Sequence, residues 1–389
     1  MSSANTVDLV IVGGGIAGLW LANVFAASGY RLLLLEGHAL GSGQTLASQG
    51  MIHGGIKYSL DATVSRAAVA ISAMPGRWRE ALAGQGSLDL SRVRPRSQRY
   101  YLFAQDTALG KLGSFFASKA LRGRVEKLRP TDYPLAFQDP GFHGVVYSVD
   151  DLVIDTSALL RVLYEGIADC VYRHQLGSEQ IGIDADAVTV RVANTQVRAR
   201  HLLLCAGAGN GALIEGLGLP EPQMQLRPLH QVLVYHDYPH PMFAHCLTGT
   251  RTTEPRMTIT SHASQHGALW YLGGQLASDG VELTGAQQQA RARSELQACL
   301  PWISWDDARI ETLRVDRAEP RHPQGKRPDH AFAQANGPIV TCWPTKLSLM
   351  PDLADRVQAM LDPPSGIAEI STATLNLPKA TVGVAPWER

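Results

Sequence analysis

The chain predicts an α/β fold in which one sheet domain is assembled from separated segments and a second domain is interleaved with it. Three observations carry that expectation. The first forty residues run strand, glycine turn, helix, strand, from Val7 to Glu36. A later apolar strand, His201-Leu202-Leu203-Leu204-Cys205, enters the small-residue turn Ala206-Gly207-Ala208-Gly209. Near the end of the chain, Ile339-Val340-Thr341-Cys342-Trp343 reads as one more strand, followed by a helix that Pro351 opens.

The opening unit has the most definite chemistry. Val7 to Val12 is a buried strand, and a helix is expected from Leu19 to Tyr30 with Gly29 as its terminator. Arg31 to Leu35 is a second buried strand that ends at Glu36. Within Gly13-Gly14-Gly15-Ile16-Ala17-Gly18, Gly13 allows the turn, Gly15 admits a pyrophosphate, and Gly18 lets helix and strand pack closely. The helix start supplies N–H donors and a partial positive charge to the phosphates, and Glu36 is placed to accept from ribose hydroxyls. This is a dinucleotide-binding unit. The nineteen uncharged residues Leu9 to Ala27 are long enough to span a membrane. With no Lys or Arg before them, Asp8 at their edge and three glycines in the middle, they read as core, and no transmembrane segment is expected.

After Glu36 comes a polar, glycine-rich loop that leads into Leu46-Ala47-Ser48-Gln49-Gly50-Met51-Ile52-His53-Gly54-Gly55-Ile56-Lys57-Tyr58. Its glycines offer a second close backbone approach to the same ligand. Ala62 to Leu82 is expected to be helical, and Arg92 to Gly144 is the irregular first piece of the second domain, with a strand near Arg99 to Phe103. Tyr147 to Asp155 returns to the first domain, followed by a helix over Thr156 to Ala168 capped by Asp155 or Thr156. Two short strands, Ala187 to Val192 and Thr195 to Ala199, resemble a meander. Leu226 to Tyr235 and Trp270 to Leu276 are strands of the second domain, separated by a polar, histidine-bearing stretch, and Gln287 to Cys299 is a helix. From Pro363 onward little structure is expected.

A chain of 389 residues with 45% hydrophobic and 18% charged residues can bury the cores of two domains. Its formal net charge of zero argues against nucleic acid as a partner. The four arginines between Arg92 and Arg99 read as a solvated face. Five scattered cysteines without a C-x-x-C pair argue against zinc and against a disulfide framework, so no metal is expected and a reducing cytoplasm fits.

Three separated segments together resemble the FAD-dependent D-amino acid oxidase superfamily, which includes glycine oxidase, glycerol-3-phosphate dehydrogenase and L-2-hydroxyglutarate dehydrogenase. Ser48 to Tyr58 is similar to the Ile-His-(Gly or Ala)-Gly…Tyr segment of the glycerophosphate and hydroxyglutarate enzymes. Leu203 to Ala208 resembles the family's second glycine turn, and Pro344-Thr345-Lys346-Leu347-Ser348-Leu349 resembles a Gly-Gly-Lys-Leu-Thr-Thr segment. Relatives commonly carry glycines where Trp343-Pro344-Thr345 stand here. The resemblance implies an α/β (α+β) architecture with FAD as cofactor. A Rossmann-like FAD-binding domain is expected from residues 1–80, 145–225 and 336–389, and an antiparallel-sheet substrate domain from 81–144 and 226–335. The cofactor contacts it implies are Gly13, Gly15, Ile16, Ala17, Gly18, Glu36, Thr45, Ser48, Gln49, Gly50, Ala206, Gly207, Lys346 and Leu347.

The chemistry implied is transfer of a hydride to the flavin from a small anionic substrate, a hydroxy acid or polyol phosphate oxidised at a CH–OH carbon. Such a step needs a base, and His53 is the candidate; packing at the flavin edge and a covalent bond to the flavin are its other open roles. Lys57, Tyr58, Lys346, Arg317 and Arg321 are candidates to hold the anion, whereas His230, His266 and His322 are further candidates for the base that read more readily as structural histidines. Two alternatives stand beside this reading, an FAD-dependent amine or amino acid oxidase and a non-catalytic flavoprotein. The polar His53-Gly54-Gly55…Lys57-Tyr58 stretch speaks against the second of these. Oxygen, a quinone or a protein would accept the electrons. A cytoplasmic location is expected, peripheral at the inner membrane face if the acceptor is a quinone.

Overall fold

The computed structural model describes residues 5–55, 66–105, 125–247, 254–265, 267–322, 328, 330–366 and 375–389. The first sheet is built on the opening strand, Asn5–Val12, which lies parallel between Leu32–Glu36 and Thr195–Leu204. Beyond Leu32–Glu36 comes Val171–Arg173. On the far side of Thr195–Leu204, Val188–Val192 pairs with its first half and Ile339–Trp343 with its second. The expected strands at Thr195 to Ala199 and His201 to Cys205 are therefore one continuous strand, Thr195–Leu204.

Alternation splits the sheet's apolar residues between two cores. Leu9, Ile11, Leu34 and Leu203 face the helices Ile16–Ala27, Thr156–Glu165 and Met350–Gln358. Val10, Val12, Leu33, Leu35, Leu202 and Leu204 fill the core on the opposite face. The first helix begins at Ile16, three residues before the expected start, and ends at Ala27. Glycine residues at 13–15 force the turn so tightly that Ile16 already enters the helix. Asp155 caps the helix Thr156–Glu165, its carboxylate accepting from the Ala158 N–H at 2.9 Å.

Among the described residues the second sheet has eight strands, in the order Arg309–Pro320, Met224–His236, Gly267–Gly273, Met257–Ser264, Ala244–Cys246, Tyr100–Gln105, Gly144–Val149, Val125–Lys127. Neighbours run antiparallel except Ala244–Cys246 beside Tyr100–Gln105. One face packs Val232, Val234, Trp270 and Leu272 against the helix Gly285–Cys299, whose start is closed by a capping box between Thr284 and Gln287. The other face turns toward the first sheet. There the Tyr271 hydroxyl donates to the Ala47 carbonyl at 2.7 Å, and Gln49 Nε2 donates to the Tyr271 carbonyl at 2.8 Å. Gly273 makes room for this joint, because a Cβ there would lie 2.7 Å from Gln49 Oε1.

Three expectations about organisation change. Gly144–Val149 joins the second sheet, although residues from 145 onward were assigned to the first domain. The next strand, Leu152–Ile154, instead pairs with Met51–Ile52 and Pro95–Ser97 in a small third sheet between the two. The polar, histidine-bearing stretch holds two strands, Ala244–Cys246 and Met257–Ser264. Finally, the tail over 375–389 is pinned. Arg173 N–H donates to the Pro378 carbonyl, Leu40 donates its N–H to the Thr381 carbonyl and accepts from the Gly383 N–H, and Trp387 is buried against Tyr271 and Leu233. Such a tail lacks periodicity because its backbone is satisfied by other segments rather than by itself. Among the described residues, no helix is long and apolar enough to cross a membrane.

Candidate active site

A cavity of about 920 Å³ runs from the opening glycine turn to the inner face of the second sheet. At its first end the glycines divide their work. Gly13, at φ +104°, lies so close to the second glycine turn that a Cβ would come within 2.5 Å of Ala206 Cα. At Gly18 a Cβ would sit 1.9 Å from the Gly13 carbonyl oxygen, so that residue closes helix onto strand and does not line the cavity. Gly15 meets only Thr45 Oγ1, at 3.4 Å, and its empty side faces the cavity. The Ile16 N–H donates to Thr45 Oγ1 at 3.0 Å, and the Glu36 carboxylate is fixed by the N–H groups of Gly14 (2.6 Å) and His38 (2.8 Å). Ser48 Oγ is buried and has no hydrogen-bond partner among the described residues. A turn without Cβ atoms, a helix start and a polar atom awaiting a partner fit a dinucleotide.

The other end holds titratable groups from three segments. His53 is half-buried, and its backbone is pinned from both sides: its N–H donates to Ser348 Oγ at 2.9 Å, and the Gly54 N–H donates to Asp151 Oδ1 at 2.9 Å. The Trp78 indole N–H holds the Ser348 carbonyl at 3.0 Å. Asp151 is buried in the turn between the second and third sheets and lines the cavity. Lys346 is also buried, with Nζ donating to the Pro328 carbonyl at 3.3 Å. His245 enters from the second sheet, with Nδ1 2.9 Å from Thr258 Oγ1 and its ring packed against Tyr100 at 4.6 Å between centroids. Burial pushes the Tyr100 phenol well above its ordinary pKa, with the nearby Asp151 charge contributing.

The turn where relatives carry glycines keeps a glycine-like backbone. Thr345 sits at φ +59°, and the Lys346 N–H closes back onto the Pro344 carbonyl at 2.6 Å, a γ-turn with a strained centre. The Thr345 hydroxyl, donating to the His330 carbonyl at 2.9 Å, helps hold it there.

Of the residues singled out from the sequence, Gly13, Gly15, Ile16, Ala17, Glu36, Thr45, Ser48, Gln49, Gly50, His53, Ala206, Gly207, Arg317, Lys346 and Leu347 line the cavity. Gly18 does not. Arg321 is exposed outside it, donating to Gln223 Oε1 at 2.8 Å. Lys57 and Tyr58 lie outside the described residues. Asp151, His245, Thr258 and Gln231 also line it and were not singled out. Only the Asp150-Asp151 pair in an otherwise apolar run hinted at one of them.

The fold and this cavity define a flavin-dependent oxidoreductase. A family model described as FAD dependent oxidoreductase (DAO) matches residues 8–337, and the chain belongs to that family. FAD is its cofactor. The chain is 44% identical to the probable FAD-dependent oxidoreductase PA4991 of Pseudomonas aeruginosa, over 100% of this chain and 99% of that one. The crystal structure of that protein superposes with a TM-score of 0.82 at 38% identity, covering 100% of this chain and 99% of the other. Glycine oxidase from Geobacillus kaustophilus shares the fold at a TM-score of 0.62 and 15% identity, with 95% and 98% of the two chains covered. L-alpha-glycerophosphate oxidase from Mycoplasma pneumoniae, solved with FAD bound, does so at 0.66 and 13%, with 99% and 98% covered.

Proposed function

We propose that the protein oxidises a small anionic substrate at a CH–OH carbon, of hydroxy acid or polyol phosphate type, with His53 as the base. The observation that carries this reading is the meeting of His53 and the buried Lys346 in one cavity. Bound FAD supplies the two-electron acceptor. Loss of a hydride from an alcohol carbon requires loss of the hydroxyl proton, and a neutral imidazole takes it near pH 7. The pinned backbone of His53 holds that ring in register with the cavity. Lys346 offsets the substrate's negative charge, and the leucines at 102, 229, 247 and 313 keep water away from the reacting carbon. In this reading Thr45, Ser48, Gly50, Ala206, Gly207 and Leu347 serve the cofactor, and the domain that carries the second sheet supplies the substrate wall.

A second reading rests on Asp151. A buried carboxylate in the cavity attracts a protonated amine and repels an anion, which favours an amine or amino acid substrate. The two readings separate in anaerobic mixing of the holoenzyme with glycolate, lactate and glycerol 3-phosphate against glycine, alanine and sarcosine. Bleaching of the flavin absorbance by the first set and not the second supports the alcohol reading. Bleaching by the second set alone overturns it. Formation of peroxide in air identifies oxygen as the acceptor, and turnover only with an added quinone or protein acceptor argues for one of those.

A further inference from the structure

On the inner face of the second sheet stands a buried amide that the fold leaves unpaired. Gln231 is 7% exposed and lines the cavity, yet its Oε1 is buried and has no hydrogen-bond partner among the described residues. Alternation along Met224–His236 explains where the side chain goes. Val232 and Val234 pack into the core on the far face, which turns Leu229 and Gln231 to the cavity. An unpaired amide oxygen disfavours the folded state, and a ligand that brings a donor removes that penalty.

The sheet register shows what a ligand meets there. On one side Gln231 pairs with Leu313, and the register that sets Val232 opposite Leu272 carries Gln231 opposite Gly273 on the other. Gly273 pairs with Thr258, and Thr258 with His245. Across the sheet the row therefore reads leucine, amide, no side chain, hydroxyl, imidazole. Gln231 and Thr258 are two strands apart, about 10 Å, with the gap of Gly273 between them. Gln49 reaches into that gap from the first domain. Its Nε2 is committed to the Tyr271 carbonyl at 2.8 Å, so its oxygen is the atom turned to Gly273, 2.7 Å from where a Cβ would be. Opposite residues hold their Cβ atoms about 5 Å apart, which sets this second amide oxygen beside the Gln231 side chain.

The chemistry of the pair selects its partner. Leu229 and Leu313 flank Gln231 and offer no charge to balance an ion, so the fitting group is neutral. A hydroxyl is neutral and both donates and accepts, which suits an amide free to turn about its last bond. We propose that Gln231 is a substrate-binding residue that hydrogen-bonds a hydroxyl on the carbon next to the reacting one, so that the substrate is an anion carrying two neighbouring hydroxyls. That substrate class rests on the alcohol reading above, whereas the role of Gln231 does not.

The test is anaerobic flavin reduction of the holoenzyme, wild type and Q231L, with three pairs of compounds that differ by one terminal hydroxyl. These are glycerate and lactate, glycerol 3-phosphate and 2-hydroxypropyl phosphate, and serine and alanine. In the pair that is turned over, the wild type should reduce its flavin about tenfold faster, as a second-order rate, with the hydroxylated member. Q231L should bring that ratio within about twofold by slowing the hydroxylated member alone. Its Tm should equal or exceed that of the wild type, because an apolar chain replaces an unpaired amide beside leucines. A wild type that treats both members alike overturns the assignment. So does a Q231L variant with a lower Tm that slows both members equally, which marks a packing role. Should Q231L not fold, Q231M, closer to glutamine in length, is judged by the same ratio. A ratio that Q231L removes for serine and alanine alone keeps the role of Gln231 and overturns the alcohol reading. Reduction by glycerate or glycerol 3-phosphate with a ratio that Q231L leaves intact does the reverse, and reduction by none of the six overturns both.

Discussion

The first and second sheets meet at one cavity but reach it by different routes. The first sheet presents backbone: glycines without Cβ atoms, the start of a helix, and a carboxylate fixed by N–H groups. The second presents side chains, His245, Thr258 and Gln231 among them, on a face whose strands come from distant parts of the chain. A backbone cradle tolerates little change in shape. A wall of side chains can change chemistry while the fold stays the same.

Substitution at Gly18 tests the first half of that contrast most severely. G18V should destabilise the protein by about 3 kcal/mol and abolish FAD retention, because its Cβ would strike the Gly13 carbonyl. G15A is expected to keep the protein's Tm and still lose FAD. Equal behaviour of the two variants in thermal melts would remove the distinction between a packing glycine and a ligand-approach glycine.

The side-chain end is probed next. H53A should keep FAD and slow flavin reduction by about 10²–10⁴-fold, the usual range for loss of a general base. Unchanged stopped-flow kinetics would transfer the role of base to His245. If H53A instead leaves the FAD spectrum altered and acid-precipitable flavin reduced, His53 is bonded to the cofactor.

The second sheet also carries two histidines that make the fold sensitive to acid. Burial depresses His236 to about 4 and His262 to about 3. A histidine held neutral in the fold takes a proton only on unfolding, so its contribution is fully present above pH 6.5 and is lost as pH falls toward the folded value. Each should cost about 2 kcal/mol between pH 6.5 and 4.5. Melts over that range should show the decline, and H236N with H262N should flatten it.

Smaller effects belong to the joint and to the strained turn. Q49A removes the side chain that ties the cofactor loop to Tyr271 and should cost about 1–2 kcal/mol in urea unfolding. T345G relieves the left-handed backbone of a threonine and should change stability by about 1 kcal/mol or less, since glycine's greater freedom in the unfolded chain offsets part of the gain. A loss of more than about 2 kcal/mol would mean that the Thr345 hydroxyl, not the backbone, holds the turn.

Much of the first sheet was legible because its signals are local. Strand, glycine turn, helix and terminal acid follow one another within thirty-odd residues, and each glycine's purpose follows from a contact inside that unit or with one similar turn. The place of His53 in the cavity was legible for the same reason, since it lies directly after the loop that continues the cradle. Asp151 and His245 were not. Asp151 follows a strand that alternates in the same way whichever sheet it joins, and His245 sits on a three-residue strand, too short for any period to show.

The sequence by itself thus determined the dinucleotide cradle, which depends on the order of neighbouring residues, while FAD and the class of chemistry came from the family that three separated segments resemble. Only the tertiary structure decided which sheet Gly144–Val149 joins, that Gly18 stays outside the cavity, and which groups converge around His53. It also decided that Arg317 and Arg321, four residues apart, stand inside and outside the cavity. The physical reason is the pairing of antiparallel strands across long stretches of chain. Their register is set by side chains meeting across the sheet, and no local periodicity announces which distant strand will be the neighbour.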